Sequence, residues 1–197
     1  AILYLSNRDS TTEHLELRQA FLLTNSAWIS IALFGSLPFL LSEIDMSFTD
    51  AIFESTSGIT TTGATVINNL DVTSHGILIW RALLQWLGGV GIIVMALAVL
   101  PMLSIGGMQL FKTESYETPD KVVPKAASFA AGISIVYITL TVVWALMLWV
   151  AGMPLFDSIA HAMTTLATGG YSTRSASLAA FNSSSIEIII VLGMIVG

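Results

Sequence analysis

The sequence predicts an all-α integral membrane protein built from repeated units, each made of a span, a re-entrant loop and a second span. The chain has 197 residues, of which 54% are hydrophobic and 10% charged, whereas roughly a quarter are charged in soluble domains. Runs without a charged residue cover residues 19–42, 82–111 and 126–156. Each run exceeds the roughly 20 apolar residues that cross a bilayer as a helix.

The long apolar runs predict the spans, and two shorter segments lie between them. We expect spans near 21–41, 77–103 and 127–151, and a fourth that begins near residue 185. The shorter segments, 48–70 and 156–181, each start as a semi-apolar helix and continue into Thr, Ser and Gly. Because a helix with roughly ten apolar residues is too short to span, each segment is predicted to be re-entrant.

The two short segments resemble each other at a fixed offset. A shift of about 107 residues pairs Asp50 with Asp157, Thr61 with Thr168, and Gly63 with the second glycine of "TGG". Such self-similarity indicates a repeated unit, although shared Thr and Gly composition could align by chance. The predicted divisions are a lead-in 1–17, a first unit 18–103, a connector 104–125 and a second unit 126–197 whose end is incomplete.

The ends of the sequence suggest a piece of a longer protein. The start is polar and has no signal-peptide core, and the last apolar run covers only about half of a span. Cysteine is absent, so no disulfide framework is expected. The net charge of −6 argues against nucleic acid as a partner, since its binders present basic faces.

Basic residues predict the orientation. Lys112, Lys121 and Lys125 lie between the second and third spans, and the positive-inside rule places such segments in the cytoplasm. Both re-entrant loops would then face outward, in a region where acidic residues outnumber Arg81 and Arg174. An acidic mouth would concentrate cations, although acidic residues often only solvate a loop.

The stretch "GITTTGATV", residues 58–66, has nearly the spacing of a phosphate-binding loop, but Ala64 stands where the lysine is required. Carbonyl oxygens and threonine hydroxyls can instead replace the hydration shell of a monovalent cation. Glycine accepts positive φ, which lets successive carbonyls point the same way. The alternative is a capped helix end followed by an ordinary turn.

The short helix before each loop also favours a cation. Asp50, with Ser47 three residues earlier, and Asp157 lie near the helix starts, where carboxylates are stabilising. The negative carbonyl ends then point at the Thr and Gly residues. Arg81 is interpreted either as an interfacial arginine or as a brace for the loop, and the glycines of "LGGVG" either as packing residues or as a hinge.

The motifs "FESTSGITTTGATV", "WRALLQWLGGVGIIV", "GGMQLFKTE" and "TTLATGGYSTR", in this order, resemble the Trk/Ktr/HKT superfamily of potassium transporters. The likeness covers nearly the whole chain after residue 17 and is greatest to the bacterial Trk-type membrane subunit. Members of that superfamily have four span–loop–span units around one pore, so this sequence would supply two.

The resemblance implies an ion-binding filter made by one loop of each unit. The filter residues would be Thr61, Thr62, Gly63, Thr168, Gly169 and Gly170, which bind K⁺ through backbone carbonyls, with Asp50, Arg81 and Asp157 as possible support. It also implies a multi-pass protein of the cell inner membrane, surrounded by lipid. A homodimer and a cytoplasmic nucleotide-binding regulatory subunit are the implied protein partners.

These observations predict a potassium-conducting membrane subunit, with no cofactor beyond the transported ion. Two alternatives remain, a sodium-permeable or cation-symporting protein of the same fold and a non-conducting accessory subunit. An enzyme is not indicated, since His14, His75 and His161 lack metal-ligand spacing and no hydroxyl has a recognisable base.

Overall fold

A computed structural model of the protein describes residues 17–103 and 122–197. The predicted lead-in, up to residue 16, and residues 104–121 of the predicted connector lie outside the described residues. All regular structure in the described parts is helical, in the order α1 Leu17–Gly35, α2 Leu37–Leu40, α3 Phe48–Ile59, α4 His75–Leu103, α5 Val122–Val150, α6 Leu155–Leu166 and α7 Ser184–Val196. Short 3-10 turns at Leu70–Val72 and Ser177–Phe181 precede α4 and α7.

Three helical segments in the described ranges are long and apolar enough to cross a membrane, namely Phe21–Leu40, His75–Ile93 and Ala131–Val150. Many of their large apolar side chains are exposed, as Ile135 and Val142 are on α5. Apolar side chains that face outward all along a helix are typical of a protein surrounded by lipid. The predicted helical fold is therefore confirmed for the described residues, and three of their segments have the length and composition of membrane spans.

The first predicted span is not one continuous helix. It is interrupted at Ser36, between α1 and α2, because Pro38 lacks the N–H that would continue the hydrogen-bond ladder. The carbonyl of Gly35, at the end of α1, accepts a hydrogen bond from Trp80 Nε1 at 2.9 Å. The break therefore ties the first span to α4.

The short helices α3 and α6 have the same length and lie 107 residues apart. Helix α3 starts with a capping box, in which Ser47 and Asp50 exchange hydrogen bonds. Helix α6 starts after Pro154 with no side-chain cap. Nearly every residue of α6 from Asp157 onward is buried, so this helix lies within the protein.

Two main clusters of buried apolar side chains lie within residues 39–84 and 137–190. A smaller cluster of Ala82, Ala160 and Met163 joins α4 to α6. Glycines allow the closest approaches of α4: a Cβ at Gly88 would overlap the carbonyl oxygen of Ile59, the last residue of α3. This close contact supports the packing interpretation of the α4 glycines. Together with the cluster of Ala82, Ala160 and Met163, it places α4 against both short helices.

Candidate functional site

The two Thr/Gly loops begin with the same hydrogen-bonded turn. In the first, Thr61 N–H donates to Gly58 O at 3.0 Å and Thr62 N–H to Ser57 O at 2.9 Å. In the second, Thr168 N–H donates to Thr165 O at 2.9 Å, and the amide of the next residue to Thr164 O at 2.9 Å. This is a Schellman arrangement, which normally places glycine at the left-handed position. Both loops place threonine there.

The backbone handedness also repeats. φ is 55° at Thr61 and 78° at Gly63, and 51° at Thr168 and 79° at Gly170. The residue between each pair has a negative φ, as Thr62 does. The same alternation in both loops is more than two unrelated turns would require.

The left-handed threonines are strained. A β-branched residue at positive φ is a true outlier, and such conformations cost of order 1–3 kcal/mol unless their surroundings hold them. Glycine would adopt the same φ without that strain. Two matched outliers, Thr61 and Thr168, indicate that the Thr side chain or a fixed backbone is needed at this position.

Side chains of α3 hold the first loop in place through hydrogen bonds. Glu54, fully buried, accepts hydrogen bonds from Thr65 Oγ1 at 2.9 Å and from Val66 N at 3.0 Å. Ser57 Oγ donates to the carbonyl of Ala64 at 2.6 Å. These bonds fix the chain directly after Gly63, so the loop conformation does not depend on its turn alone.

The second loop is held by α6 through different side chains at matching positions. His161 Nδ1 lies 2.8 Å from the carbonyl oxygen of Asp157 and Nε2 lies 3.1 Å from Ser172 Oγ. Because a carbonyl only accepts, Nδ1 carries the proton, and neutral Nε2 accepts from Ser172. Burial lowers the pKa of His161 below its usual 6.5, which keeps the imidazole neutral.

Asp157 does not act as Asp50 does. Its carboxylate is buried and accepts from Thr173 Oγ1 at 2.7 Å and from Arg174 Nη2 at 2.6 Å. Asp50 instead bonds to Ser47 at the exposed start of α3. Of these two predicted support residues, only Asp157 therefore contacts the segment that follows its loop.

Arg174 also lies near the first half of the chain. Its Nη1 is 4.0 Å from Asp71, and Ser175 N–H donates to the same carboxylate at 3.3 Å. A hydrogen bond from the Ser175 side chain is the main reason that the pKa of Asp71 is lowered. These contacts connect the segments that follow the two loops.

Tyr171 connects the loops more deeply. It follows Gly170, and its hydroxyl proton is shared between the carbonyls of Glu54 at 2.9 Å and Ala64 at 3.2 Å. The ring is buried under Arg81, whose Cζ lies 4.0 Å from the ring centroid. Tyr171, which belongs to the second loop segment, thus packs against the first loop segment.

Arg81 joins both loops from α4. It is 1% exposed, and its Nε donates to Glu54 at 2.7 Å while Nη1 donates to the carbonyl of Ser172 at 3.0 Å. Its Nη2 is buried without a hydrogen-bond partner, although the π face of Tyr171 offsets part of that cost. Arg81 is therefore buried and contacts residues beside both loops.

Gln85, one helical turn after Arg81, was not predicted as a site residue. Its Nε2 donates to the carbonyl of Gly169 at 2.9 Å, and its Oε1 accepts from Tyr171 N–H at 3.1 Å. Both groups belong to the second loop, so one amide sets the orientation of two of its peptide groups. The sequence signal for Gln85 was a polar side chain within an otherwise apolar span, because polar side chains in such spans usually face the protein interior.

The structure brings the predicted filter residues of both loops together. A Cβ at Gly63 would overlap the carbonyl oxygen of Gly169, whereas a Cβ at Gly170 would meet nothing within 4 Å. The carbonyl of Gly169 already accepts from Gln85, so it has less capacity for an ion than its neighbours. Gly63 lies at the contact between the loops, and Gly170 borders open space.

Comparisons with known proteins identify the family of the chain. Residues 2–197 match the TrkH family, described as a cation transport protein. The Trk system potassium uptake protein TrkH of Salmonella typhimurium is 45% identical over 199 residues, which is 100% of this chain and 41% of that protein. TrkG of Escherichia coli is 39% identical over 178 residues, which is 89% of this chain and 37% of TrkG.

A solved structure is also similar. The crystal structure of the potassium transporter TrkH from Vibrio parahaemolyticus matches with a TM-score of 0.82 and 40% identity, over 98% of this chain and 38% of that one. The chain thus spans about two fifths of the length of these relatives. The resemblance predicted from the sequence motifs is confirmed, and the chain belongs to the TrkH family of cation transport proteins.

Proposed function

We propose that the chain supplies two span–loop–span units to the ion-conducting membrane subunit of a potassium uptake system. The observation that carries this proposal is the backbone repeated in both loops, with left-handed Thr and Gly two residues apart. We infer that several carbonyl oxygens of each loop face one side, where they would replace the hydration shell of K⁺ as carbonyl rings do in ion filters. The names of the relatives, which are potassium transporters and uptake proteins, support the choice of ion.

The proposed ion ligands are backbone carbonyls of the two loops, namely those of Thr61, Thr62, Gly63, Thr168, Gly169 and Gly170. The carbonyl ends of α3 and α6 face these loops and favour a cation over an anion. Both helices carry an aspartate in the first turn. These aspartates stabilise the positive end of each helix dipole, and the negative end is directed toward the loop.

The larger arrangement follows from the same proposal. The units 18–103 and 126–197 are repeats, the loops face outward from the cell inner membrane, and the connector 104–125 is cytoplasmic. Lipid surrounds the apolar helices. A homodimer and a nucleotide-binding regulatory subunit at the cytoplasmic side are the proposed partners.

A matched pair of glycine substitutions tests the role of the loops. Gly170 and Gly152 have φ of 79° and 100°, and an added Cβ would meet nothing within 4 Å at either position. An alanine at positive φ costs about 1–2 kcal/mol at each. Gly152 lies before α6, outside the loops, so both variants should lose similar stability.

We expect only Gly170→Ala to reduce rubidium uptake or the preference for K⁺ over Na⁺ in vesicles that contain the complete transporter. Equal flux and selectivity in Gly170→Ala and Gly152→Ala would refute the loop as a filter. Competition among K⁺, Rb⁺ and Na⁺ separates a potassium-selective path from a sodium-permeable one. Absence of flux in the unsubstituted protein would favour an accessory subunit.

A further inference from the structure

A cavity of about 790 Å³ lies between the ends of the first two membrane-length segments. Its lining includes residues 41–44, which directly follow Phe21–Leu40, and residues 72–74, which directly precede His75–Ile93. Because both segments leave the apolar layer of a membrane here, the cavity lies at the depth of the lipid headgroups. Its volume falls within the roughly 300–1,000 Å³ of small-ligand sites, and none of the proposed filter residues lines it.

The wall of the cavity changes from apolar to polar along the direction of the spans. The part next to the spans includes Pro38, Ile77 and Trp80, and the indole N–H of Trp80 is fixed by the carbonyl of Gly35 at 2.9 Å. The part beyond the spans is formed by polar side chains, namely those of Ser42, Glu43, Asn68, Asn69, Thr73 and Ser74. A phospholipid has the same order, since its apolar chains lead to a polar headgroup.

Two apolar side chains at the cavity are left uncovered by the protein. Leu41 is 84% exposed and Val72 is 78% exposed, and both line the cavity. Covering such side chains is favourable by about 25 cal/mol for each Å² of apolar surface. The acyl part of a lipid bound in the cavity would cover them.

Glu43 determines the charge of the cavity. Its side chain is exposed and forms no ion pair within residues 17–103 and 122–197. Among the described residues, no lysine or arginine lines the cavity. The cavity therefore favours a ligand with an ammonium group and disfavours one with a net negative charge.

The neighbouring asparagines supply hydrogen-bond donors. Within the described part of the chain, the side-chain amides of Asn68 and Asn69 donate no hydrogen bond, and each has two N–H groups to offer. The hydroxyls of Ser42 and Thr73 already donate to the carbonyls of Phe39 at 2.8 Å and Asn69 at 3.3 Å. The two amides are therefore the groups available for the oxygens of a phosphate.

We propose that this cavity binds the headgroup of phosphatidylethanolamine, with the ammonium at Glu43 and the phosphate at Asn68 and Asn69. The primary ammonium of this lipid donates hydrogen bonds to a carboxylate, whereas the methylated ammonium of phosphatidylcholine cannot. The headgroup of phosphatidylglycerol has a net negative charge and no cation for Glu43. This inference rests on the proposed membrane location of the chain and does not depend on ion conduction.

Native mass spectrometry of the complete transporter tests the preference among lipids with identical acyl chains. Phosphatidylethanolamine should bind more tightly than phosphatidylcholine or phosphatidylglycerol. Glu43→Gln should reduce this preference about two- to fivefold, which is the contribution of an exposed charge pair. Asp45→Asn is the matched control, because Asp45 is exposed two residues later but does not line the cavity, so its preference should be unchanged.

Three outcomes of this experiment would overturn the proposal. The first is an absence of preference for phosphatidylethanolamine in the unsubstituted protein, and the second is an equal loss in Glu43→Gln and Asp45→Asn. The third concerns phosphoethanolamine, which is the same headgroup without acyl chains. If it displaces the lipid at equal concentration, the site belongs to a soluble ligand.

Filling the cavity gives an independent test. An added Cβ would meet nothing within 4 Å at Gly76 or at Gly132, but Gly76 lines this cavity and Gly132 lies on α5 away from it. Gly76→Phe should abolish the lipid preference and Gly132→Phe should not, with the melting temperatures showing that both variants fold. A preference retained in Gly76→Phe would contradict the proposal. Neither readout requires transport, so K⁺ flux without the lipid preference removes this inference alone.

Discussion

Replacement of Gln85 by methionine gives the sharpest test of how the second loop is held. Gln85 is fully buried on α4, and its amide satisfies the carbonyl of Gly169 and the N–H of Tyr171. Methionine has a similar length and fills the same space, so the cavity left behind is small.

The expected loss follows from the two backbone groups left without a partner. A buried donor or acceptor without a hydrogen bond costs about 1–3 kcal/mol, so Gln85→Met should destabilise the protein by about 2–6 kcal/mol. A loss of this size is a large part of the roughly 5–15 kcal/mol that stabilises a typical domain. The released peptide groups of Gly169 and Tyr171 should also turn, which changes the neighbouring carbonyls of the loop.

The assay combines thermal unfolding in detergent with rubidium uptake and its competition by Na⁺. Leu87→Met is the control, because Leu87 lies on the same helix and is 46% exposed; such a change should stay within about 0.5 kcal/mol. Gln85→Met should lower both the melting temperature and the K⁺ preference. Equal stability and selectivity in the two variants would refute the role of Gln85 as a positioning residue.

Three further predictions concern the same region. Arg81→Met should destabilise the protein by about 3–5 kcal/mol because it leaves the buried carboxylate of Glu54 unpaired. In a double-mutant cycle measured by thermal unfolding, adding Glu54→Gln should recover part of that loss. Strictly additive effects of the two substitutions would contradict this coupling. Thr61→Gly should raise the melting temperature, since it removes backbone strain of about 1–3 kcal/mol at φ 55°. The same substitution should reduce K⁺ selectivity in flux assays. A lower melting temperature would show that the threonine is not strained. Burial lowers the pKa of His161 below 6.5, so the unfolded chain binds a proton more readily than the folded chain does. The free energy of unfolding should therefore be unaffected by this group above pH 6.5 and should fall as the pH drops toward the folded-state pKa. Unfolding measured across that pH range should show a smaller decrease for His161→Gln, and an identical decrease would assign the pH dependence to other groups.

The sequence predicted the helices well because their signals are local. Long apolar runs placed α4 and α5 near their observed ends, since a membrane helix satisfies its backbone within its own segment. The Ser47 and Asp50 pair likewise forms the predicted capping box, which requires only residues three positions apart. The break at Ser36 was missed, although Pro38 was a visible signal for it.

Side-chain partners from distant segments could not be predicted in this way. Asp157 has the same sequence position as Asp50 in its unit, but it bonds to Thr173 and Arg174 after the loop. The pairing of Tyr171 with Glu54 joins residues 117 positions apart. Spacing within a helix contains no information about such contacts, which depend on how the helices pack.

The sequence by itself determined the membrane class, the helical segments, the repeated Thr/Gly motif and the family resemblance, because each of these depends on composition or on neighbouring residues. Only the tertiary structure decided that Arg81 and Gln85 of one helix contact the second loop, and that Tyr171 packs behind the first. The physical reason is that buried polar groups must find partners wherever packing places them. In this chain, Gln85 and Tyr171 find such partners in distant segments of the sequence.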